Sequence, residues 1–177
     1  AAIYRKVIRR GLVLVLLGCI YNGLLDFDFA HLRYASVLGR IGLSWMFAAL
    51  LFLNVRTRVR MGVVALLFIG YWALLACFPA PNGDPFSMEG SLVGYVDRMF
   101  LPGQLYLGIH DPEGLLGIIP AVGTASLGML TGEWIKREGL PELRKVALLA
   151  CAGVVLVVAG WIWDLVFPIN KNLWTSS

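Results

Sequence analysis

The side chains able to do polar chemistry fall in three short strings of this chain. The first is Gly-Tyr-Val-Asp-Arg at 94–98, the second is His-Asp-Pro-Glu-Gly at 110–114, and the third is Asn-Lys-Asn at 170–172. Together they offer carboxylates, a guanidinium, an imidazole, amides and an ammonium, which are groups that could hold a sugar or a phosphate. The three cysteines are isolated and no phosphate-loop, hydrolase-elbow or zinc-peptidase motif occurs. We therefore expect no metal site.

The second string permits two interpretations. Asp111 as N-cap, Pro112 at the first helical position and Glu113 in the first turn are typical of a helix start. Alternatively, Asp111 and Glu113 face a cavity and hold a polar ligand, and both interpretations can hold together. His110 is a candidate base, because histidine titrates near neutral pH.

Arg40 is an ionisable residue inside an apolar stretch, three residues from its start. Such residues usually pair with an opposite charge or line a cavity. Asp97, Asp111 and Asp164 are the candidate partners at the same depth, and snorkelling of the guanidinium to the membrane surface is the alternative.

Composition indicates the elements that must position these residues. The 177-residue chain is 59% hydrophobic and 15% charged, whereas soluble domains have about 45–50% apolar and about 25% charged residues. The apolar residues form five blocks, each near the ~20 residues that cross a bilayer as a helix. We predict an all-α, multi-pass membrane protein with helices at 7–25, 37–55, 61–78, 115–135 and 146–167. We expect 1–177 to be one membrane-embedded bundle and a fragment of a larger transmembrane domain.

The loop from 79 to 111 is long enough to carry structure of its own. Apolar residues recur in it at helical spacing: Leu92, Val93, Val96, Met99 and Phe100. Ser91 is a plausible N-cap and Pro102-Gly103 ends the run. The pattern predicts a short helix lying at the membrane surface, with Asp97 and Arg98 turned away from lipid.

The basic residues predict an orientation. Eleven of the 15 Lys and Arg residues lie before or early in the first helix, at 56–60 or at 136–145. Because short cytoplasmic loops carry the positive excess, the N-terminus is predicted to be cytoplasmic, with loops 26–36 and 79–113 and the C-terminus outside. The net charge of +4 thus reflects topology beside anionic lipid, and we expect no nucleic-acid partner. The absence of an N-glycosylation sequon fits a bacterial inner membrane.

Three strings in order resemble one family. Gly-Tyr-Val-Asp-Arg at 94–98, Asp-Pro-Glu-Gly-Leu-Leu-Gly at 111–117 and Pro-Ile-Asn-Lys-Asn-Leu-Trp at 168–174 are similar to the transmembrane acyltransferases related to heparan-alpha-glucosaminide N-acetyltransferase. The segment 37–42 also resembles a helix start of this family, although the family often has Gln where Gly39 stands. The resemblance covers nearly the whole chain.

The resemblance implies a multi-pass enzyme that moves an acetyl group from acetyl-coenzyme A to the amino group of a terminal glucosamine across the membrane. The family's catalytic His lies upstream of this chain, and His110 stands where the animal enzyme has Tyr. His110 is therefore not expected to be the essential base. The residues implied on the sugar side are Asp97, Arg98, Asp111, Glu113, Asn170 and Lys171, with Arg40 as a charge partner beneath them.

Two further points follow from the resemblance. Arg9 and Arg10 are candidates for the phosphates of acetyl-coenzyme A, although the positive-inside rule also explains them. Bacterial relatives are often described only as linked to N-acetylglucosamine uptake, so an amino-sugar transporter is the alternative function. The Gly/Pro-broken helix pair of an inverted repeat, typical of transporters, is not visible. The partners expected are the lipid bilayer and an amino-sugar or glycan acceptor, and a homo-oligomer is left open.

Overall fold

The computed structural model describes residues 2–78, 84–106 and 108–175. Within these ranges the chain is helical, with six α-helices, one 3-10 turn and loops, which confirms the all-α prediction. The elements are α1 (Ala2–Tyr21), a 3-10 turn (Leu24–Asp26), α2 (Val37–Asn54), α3 (Thr57–Cys77), α4 (Leu92–Phe100), α5 (Ile118–Ile135) and α6 (Glu142–Asp164).

All five predicted long helices form, but some of their ends differ. The first helix stops at Tyr21 rather than at residue 25, because Gly23 adopts a left-handed conformation with φ of 101° that ends the helical path. The fourth long helix, α5, begins at Ile118 rather than at residue 115. Residues 79–83 of the predicted long loop, together with residue 107, lie outside the described residues.

Three of the described helices are long and apolar enough to cross a membrane, namely α2, α3 and α6. The prediction of five spanning helices is therefore supported for three. In α1 four basic residues lie within the first half of the helix, and charges are costly in hydrocarbon. In α5 Pro120, Glu133 and several Gly, Ser and Thr residues dilute the apolar surface.

Close packing of α1 and α2 depends on glycine. A Cβ on Gly42 would lie 2.7 Å from the carbonyl oxygen of Gly11, and a Cβ on Gly11 would lie 2.9 Å from the Cβ of Met46. Small residues allow two backbones to approach in this way, which is the usual means of helix association in membranes. α2 also packs on α5, and α5 packs on α3.

The bundle has two chemically different ends. At the end we call the basic end, Thr57 and Arg60 at the start of α3 bind Glu133 at the end of α5, at 2.9 and 3.1 Å. Lys145 of α6 donates to the carbonyl of Ile135 at 2.9 Å. The opposite end, which we call the polar end, is formed by residues 22–36, by α4 with residues 101–106 and 108–117, and by the C-terminal loop, residues 165–175.

The polar end has its own hydrophobic core. Its fully buried members come from three distant parts of the chain: Tyr71, Leu75, Val93, Phe167 and Leu173. The Tyr71 ring packs against Phe167 with ring centroids 6.4 Å apart. This core joins α3, α4 and the C-terminal loop, and it therefore holds the first and third polar strings of the sequence at one end of the bundle.

Candidate functional site

The short helix α4 supplies the first site residue. It spans Leu92–Phe100, and the Ser91 hydroxyl accepts a hydrogen bond from the Gly94 N–H at 3.3 Å, which confirms the predicted cap. Met99 and Phe100 are exposed, whereas Asp97 is fully buried on the other side of the helix. The carboxylate is thus turned away from Met99 and Phe100, as predicted, but Val93, which was expected on the same apolar face as these two, is buried in the core on the side of Asp97.

Asp97 is a buried acid with one free oxygen. Its Oδ1 accepts a hydrogen bond from the Leu115 N–H at 3.0 Å, whereas Oδ2 has no partner among the described residues. Gly114 lies directly against the carboxylate, and a Cβ at that position would overlap it. Burial raises the pKa of Asp97 from 3.8 to about 6, because water no longer solvates the charged form.

Arg98, which was predicted to be turned away from lipid together with Asp97, has an exposed side chain. Its guanidinium donates to the backbone carbonyls of Ile109 at 2.6 Å and Glu89 at 3.2 Å. Arg98 therefore ties the loop before α5 to the loop before α4.

Arg33 binds both carboxylates of the second string. Its Nε and Nη2 each donate to Asp111 at 2.7 Å, in bidentate geometry, and Nη2 also binds Glu113. Asp111 is fully buried and accepts further bonds from the N–H groups of Tyr106, at 3.2 Å, and Glu113, at 3.0 Å. Burial alone would raise the pKa of Asp111, but Arg33 and these N–H donors hold this pKa below its ordinary value.

The interpretation of Asp111 as the N-cap of the following helix is wrong, since α5 begins seven residues later, at Ile118. Residues 111–117 form turns instead, and these turns bring Asp111 and Glu113 to Arg33. Arg33 was missed as a site residue by sequence reasoning, which counted it only toward topology. The signal was the excess of acids over bases at this end of the bundle, because buried carboxylates require a counter-ion.

Arg40 is buried near the start of α2 and pairs with none of the three carboxylates predicted for it. Its Nη2 donates to the backbone carbonyl of Pro112, and its guanidinium lies 4.2 Å from the ring centroid of Trp174. Its Nε has no partner in the described part of the chain. Asp164 is exposed and accepts the N–H of Ile169 at 2.6 Å, so it belongs to the turn that follows α6.

His110 is fully buried and bound to the C-terminal loop. Its Nε2 lies 2.6 Å from the carbonyl oxygen of Asn172, so the tautomer protonated at Nε2 donates this bond and Nδ1 is left as an acceptor. Burial lowers the pKa of His110 below its ordinary value. At neutral pH the imidazole is therefore uncharged.

The C-terminal loop covers the other residues of the site. Leu173 accepts a hydrogen bond from the buried Tyr71 hydroxyl at 2.5 Å, and the Asn170 side-chain amide donates to the carbonyl of Phe86 at 3.4 Å. Trp174, which stacks on the Arg40 guanidinium, has a left-handed φ of 53°, a conformation that costs free energy for a large side chain. Lys171 is exposed.

Four buried polar atoms at the polar end lack a partner among the described residues: Nε of Arg40, Nε1 of Trp72, Oδ2 of Asp97 and Nδ1 of His110. Two of them are donors and two are acceptors. Unpaired buried polar groups are rare because each costs free energy. A ligand with hydroxyl or amino groups could satisfy such a set.

The residues predicted for the coenzyme lie elsewhere. Arg9 and Arg10 are in α1, toward the basic end, where Arg9 is exposed and the Arg10 guanidinium lies 4.9 Å from the ring centroid of Trp45. The structure does not bring them to the polar end. Across the described ranges, no group of three or more His, Cys, Asp or Glu side chains is arranged to hold a metal ion.

No family model matches the chain. It is similar to the mouse (Mus musculus) heparan-alpha-glucosaminide N-acetyltransferase, with 32% identity over 107 residues. The match covers 50% of this chain and 16% of the mouse protein, so the chain spans about one sixth of that relative. The chain is thus distantly related to an acetyltransferase, over half of its length.

Proposed function

We propose that this chain forms the sugar-binding end of a membrane acyltransferase, which moves an acetyl group from acetyl-coenzyme A to the amino group of a glucosamine-type sugar. The relationship to an N-acetyltransferase supports the reaction class. The observation that carries the proposal is the buried polar cluster at one end of an apolar bundle, with donors and acceptors that no described residue satisfies. A sugar offers hydroxyl and amino groups to both kinds of atom.

The acyl transfer requires a nucleophile, a general base and a donor to the oxyanion, which different groups supply. The acceptor nitrogen attacks the thioester carbonyl, an N–C bond forms, the C–S bond breaks and coenzyme A leaves as the thiol. The nitrogen must lose a proton to a base, and the developing oxyanion needs a donor. In this proposal the base is the family His outside the chain, and the residues described here hold and orient the sugar.

Asp97 is the residue we expect to contact the sugar most directly. With a pKa of about 6 it is mostly ionised at neutral pH, and its free Oδ2 can accept a bond from a hydroxyl or ammonium group. Asp111 is a positioning residue in this scheme, because Arg33 already occupies both of its oxygens. The proposed sugar side also includes Glu113, Arg98, Asn170 and Lys171, and Arg40 lies beneath these residues.

The proposal includes an orientation. The basic end is cytoplasmic by the positive-inside rule, so acetyl-coenzyme A would meet Arg9 and Arg10 there, with its phosphates bound by their guanidinium groups. The polar end then faces the outside of a bacterial inner membrane, where a glycan acceptor would bind.

The test uses the full-length protein in vesicles, with acetyl-labelled coenzyme A on one side and a glucosamine-ended sugar on the other. Label on the sugar is the expected result, and both Asp97→Asn and Asp111→Asn should abolish it. Asp28→Asn is the matched control, because Asp28 is an exposed acid at the same end. Unmodified sugar crossing the bilayer without any label transferred would overturn the enzyme and support the transporter.

A further inference from the structure

A long apolar groove separates α5 from α6. In α6 only Lys145 is buried, so most of this helix stands away from its neighbours. The half of the groove nearer the polar end encloses about 540 Å³ and the half nearer the basic end about 470 Å³. Leu127 lines both halves, so the two adjoin at this residue and follow each other along the bundle.

The polar-end half of the groove is lined by aromatic rings and is bordered by the C-terminal loop, through Ile169 and Trp174. Trp161, Trp163 and Trp174 line it, and no charged residue does. Trp174 also forms the stack on Arg40, so a single indole separates the groove from the buried polar cluster. A molecule lying in the groove would therefore present its polar end beside that cluster.

The mouth of the groove carries a free positive charge. Ile169 and Trp174 of the C-terminal loop line the groove, and Lys171 lies between them in the sequence. Lys171 is exposed, and its ammonium forms no ion pair with an acid in the ranges that the structure describes. Asp164, the nearest acid along the chain, is bound to the Ile169 N–H. An ammonium in this position favours a phosphate.

We propose that the acceptor sugar is carried on a lipid phosphate, with its hydrocarbon chain in the groove between α5 and α6, its phosphate at Lys171 and its sugar at the polar cluster. This inference rests on the proposed function and names its substrate class. The walls of the groove contact the hydrocarbon chain along its length and supply affinity for it. They also fix the depth and direction of the head group, and Lys171 supplies the preference for an anionic lipid.

Binding can be tested without any activity, because the lining tryptophans report it. The intact protein in neutral detergent is titrated with bromododecyl phosphate, whose bromine quenches tryptophan fluorescence on contact, and in parallel with phosphatidylcholine brominated on its acyl chain. We expect saturable quenching that favours the phosphate. Equal and unsaturable quenching by both lipids would mean that bulk lipid fills the groove, which overturns the proposal.

Two neighbouring residues of α6 give a matched pair of variants. Ala159 lines the groove and Val158 does not. Ala159→Phe should weaken binding of bromododecyl phosphate about tenfold, because an added ring occupies the chain's space, whereas Val158→Phe should leave it unchanged. Thr124→Phe, on the α5 wall, is a second blocking variant should Ala159→Phe fail to fold. Unchanged binding in the folded blocking variants contradicts the proposal.

Steady-state kinetics with two acceptors distinguish a failure of this inference from a failure of the proposed function. Acetyl transfer is measured to glucosamine and to glucosamine joined through phosphate to a farnesyl chain. We expect a KM at least tenfold lower for the farnesyl-linked acceptor, and Ala159→Phe should remove this advantage while leaving transfer to glucosamine unchanged. Transfer to glucosamine with no preference for the farnesyl-linked acceptor overturns the inference alone. Transfer to neither acceptor overturns the proposed function.

Discussion

Replacing Asp97 by Asn tests whether a charge is held at this site at the expense of stability. The pKa of Asp97 rises from 3.8 to about 6 on burial. At 1.36 kcal/mol per pKa unit, this difference corresponds to about 3 kcal/mol. Since the folded state binds the proton more tightly than the unfolded state, ionised Asp97 lowers the free energy of unfolding by that amount at pH values above 6.

The upward direction of the pKa shift defines the pH range over which stability changes. As the pH rises from about 4 to about 6 the wild-type protein should lose this stability, and above pH 6 the loss is complete. Asn cannot ionise, and its amide oxygen can still accept the Leu115 N–H. Its NH₂ group would take the place of the unpaired Oδ2, which offsets part of the gain. At pH 8 we expect Asp97→Asn to be roughly 1–3 kcal/mol more stable than the wild type, and at pH 4.5 this difference should be about 2 kcal/mol smaller, because Asp97 of the folded protein is then almost fully protonated.

The assay is thermal unfolding in detergent at both pH values, combined with the transfer measurement. We expect a variant that melts several degrees higher at pH 8 but transfers no acetyl group. Asp28→Asn should change neither property, because Asp28 is exposed. A loss of stability of the same size at pH 4.5 and pH 8 would refute the reasoning, since it would show that the Asp97 charge is not destabilising.

Three other substitutions have defined outcomes. Arg33→Gln should destabilise the protein by about 3–5 kcal/mol at neutral pH, because buried Asp111 loses its counter-ion. Thermal unfolding measures this loss, which should be partly recovered at low pH, and the control Arg98→Gln should cost far less stability. Tyr71→Phe removes a buried hydrogen bond to the C-terminal loop and should cost about 1–3 kcal/mol, measured in the same assay; an unchanged melting temperature would count against this bond. His110→Tyr should keep most of the transfer activity, since a phenol can donate to the carbonyl that His110 now binds; inactivity of the folded variant would make His110 the overlooked base.

The sequence was sufficient for the features that depend on local patterns. Apolar blocks located the five long helices, and Ser91 with the apolar spacing after it located α4 to within a residue. The same spacing placed Asp97 on the side of α4 opposite Met99 and Phe100, but it did not predict that Asp97 is buried and Arg98 exposed. The membrane class needed only composition.

The pairings at the polar end could not be predicted in this way. Asp111 is 78 residues from Arg33, and Arg40 is 134 residues from Trp174. No local pattern decides which of several carboxylates a given arginine meets, so Asp111 was interpreted as a helix cap and Arg40 was assigned the wrong partners. A backbone carbonyl and an indole ring as partners for Arg40 have no signature in a single sequence.

The order in which the chain is made affects how the polar end can assemble. Phe167 and Leu173, which fill the core beside Tyr71 and Leu75, follow all six helices in the sequence. During synthesis Arg40 therefore lacks its indole cover, and His110 its carbonyl partner, until the segment after α6 has been made. A nascent chain that stopped after α6 would hold inserted helices and an open, charged end. Residues 165–175 are then the segment that closes the polar end, and a variant that lacks them is the form that membrane proteases should recognise.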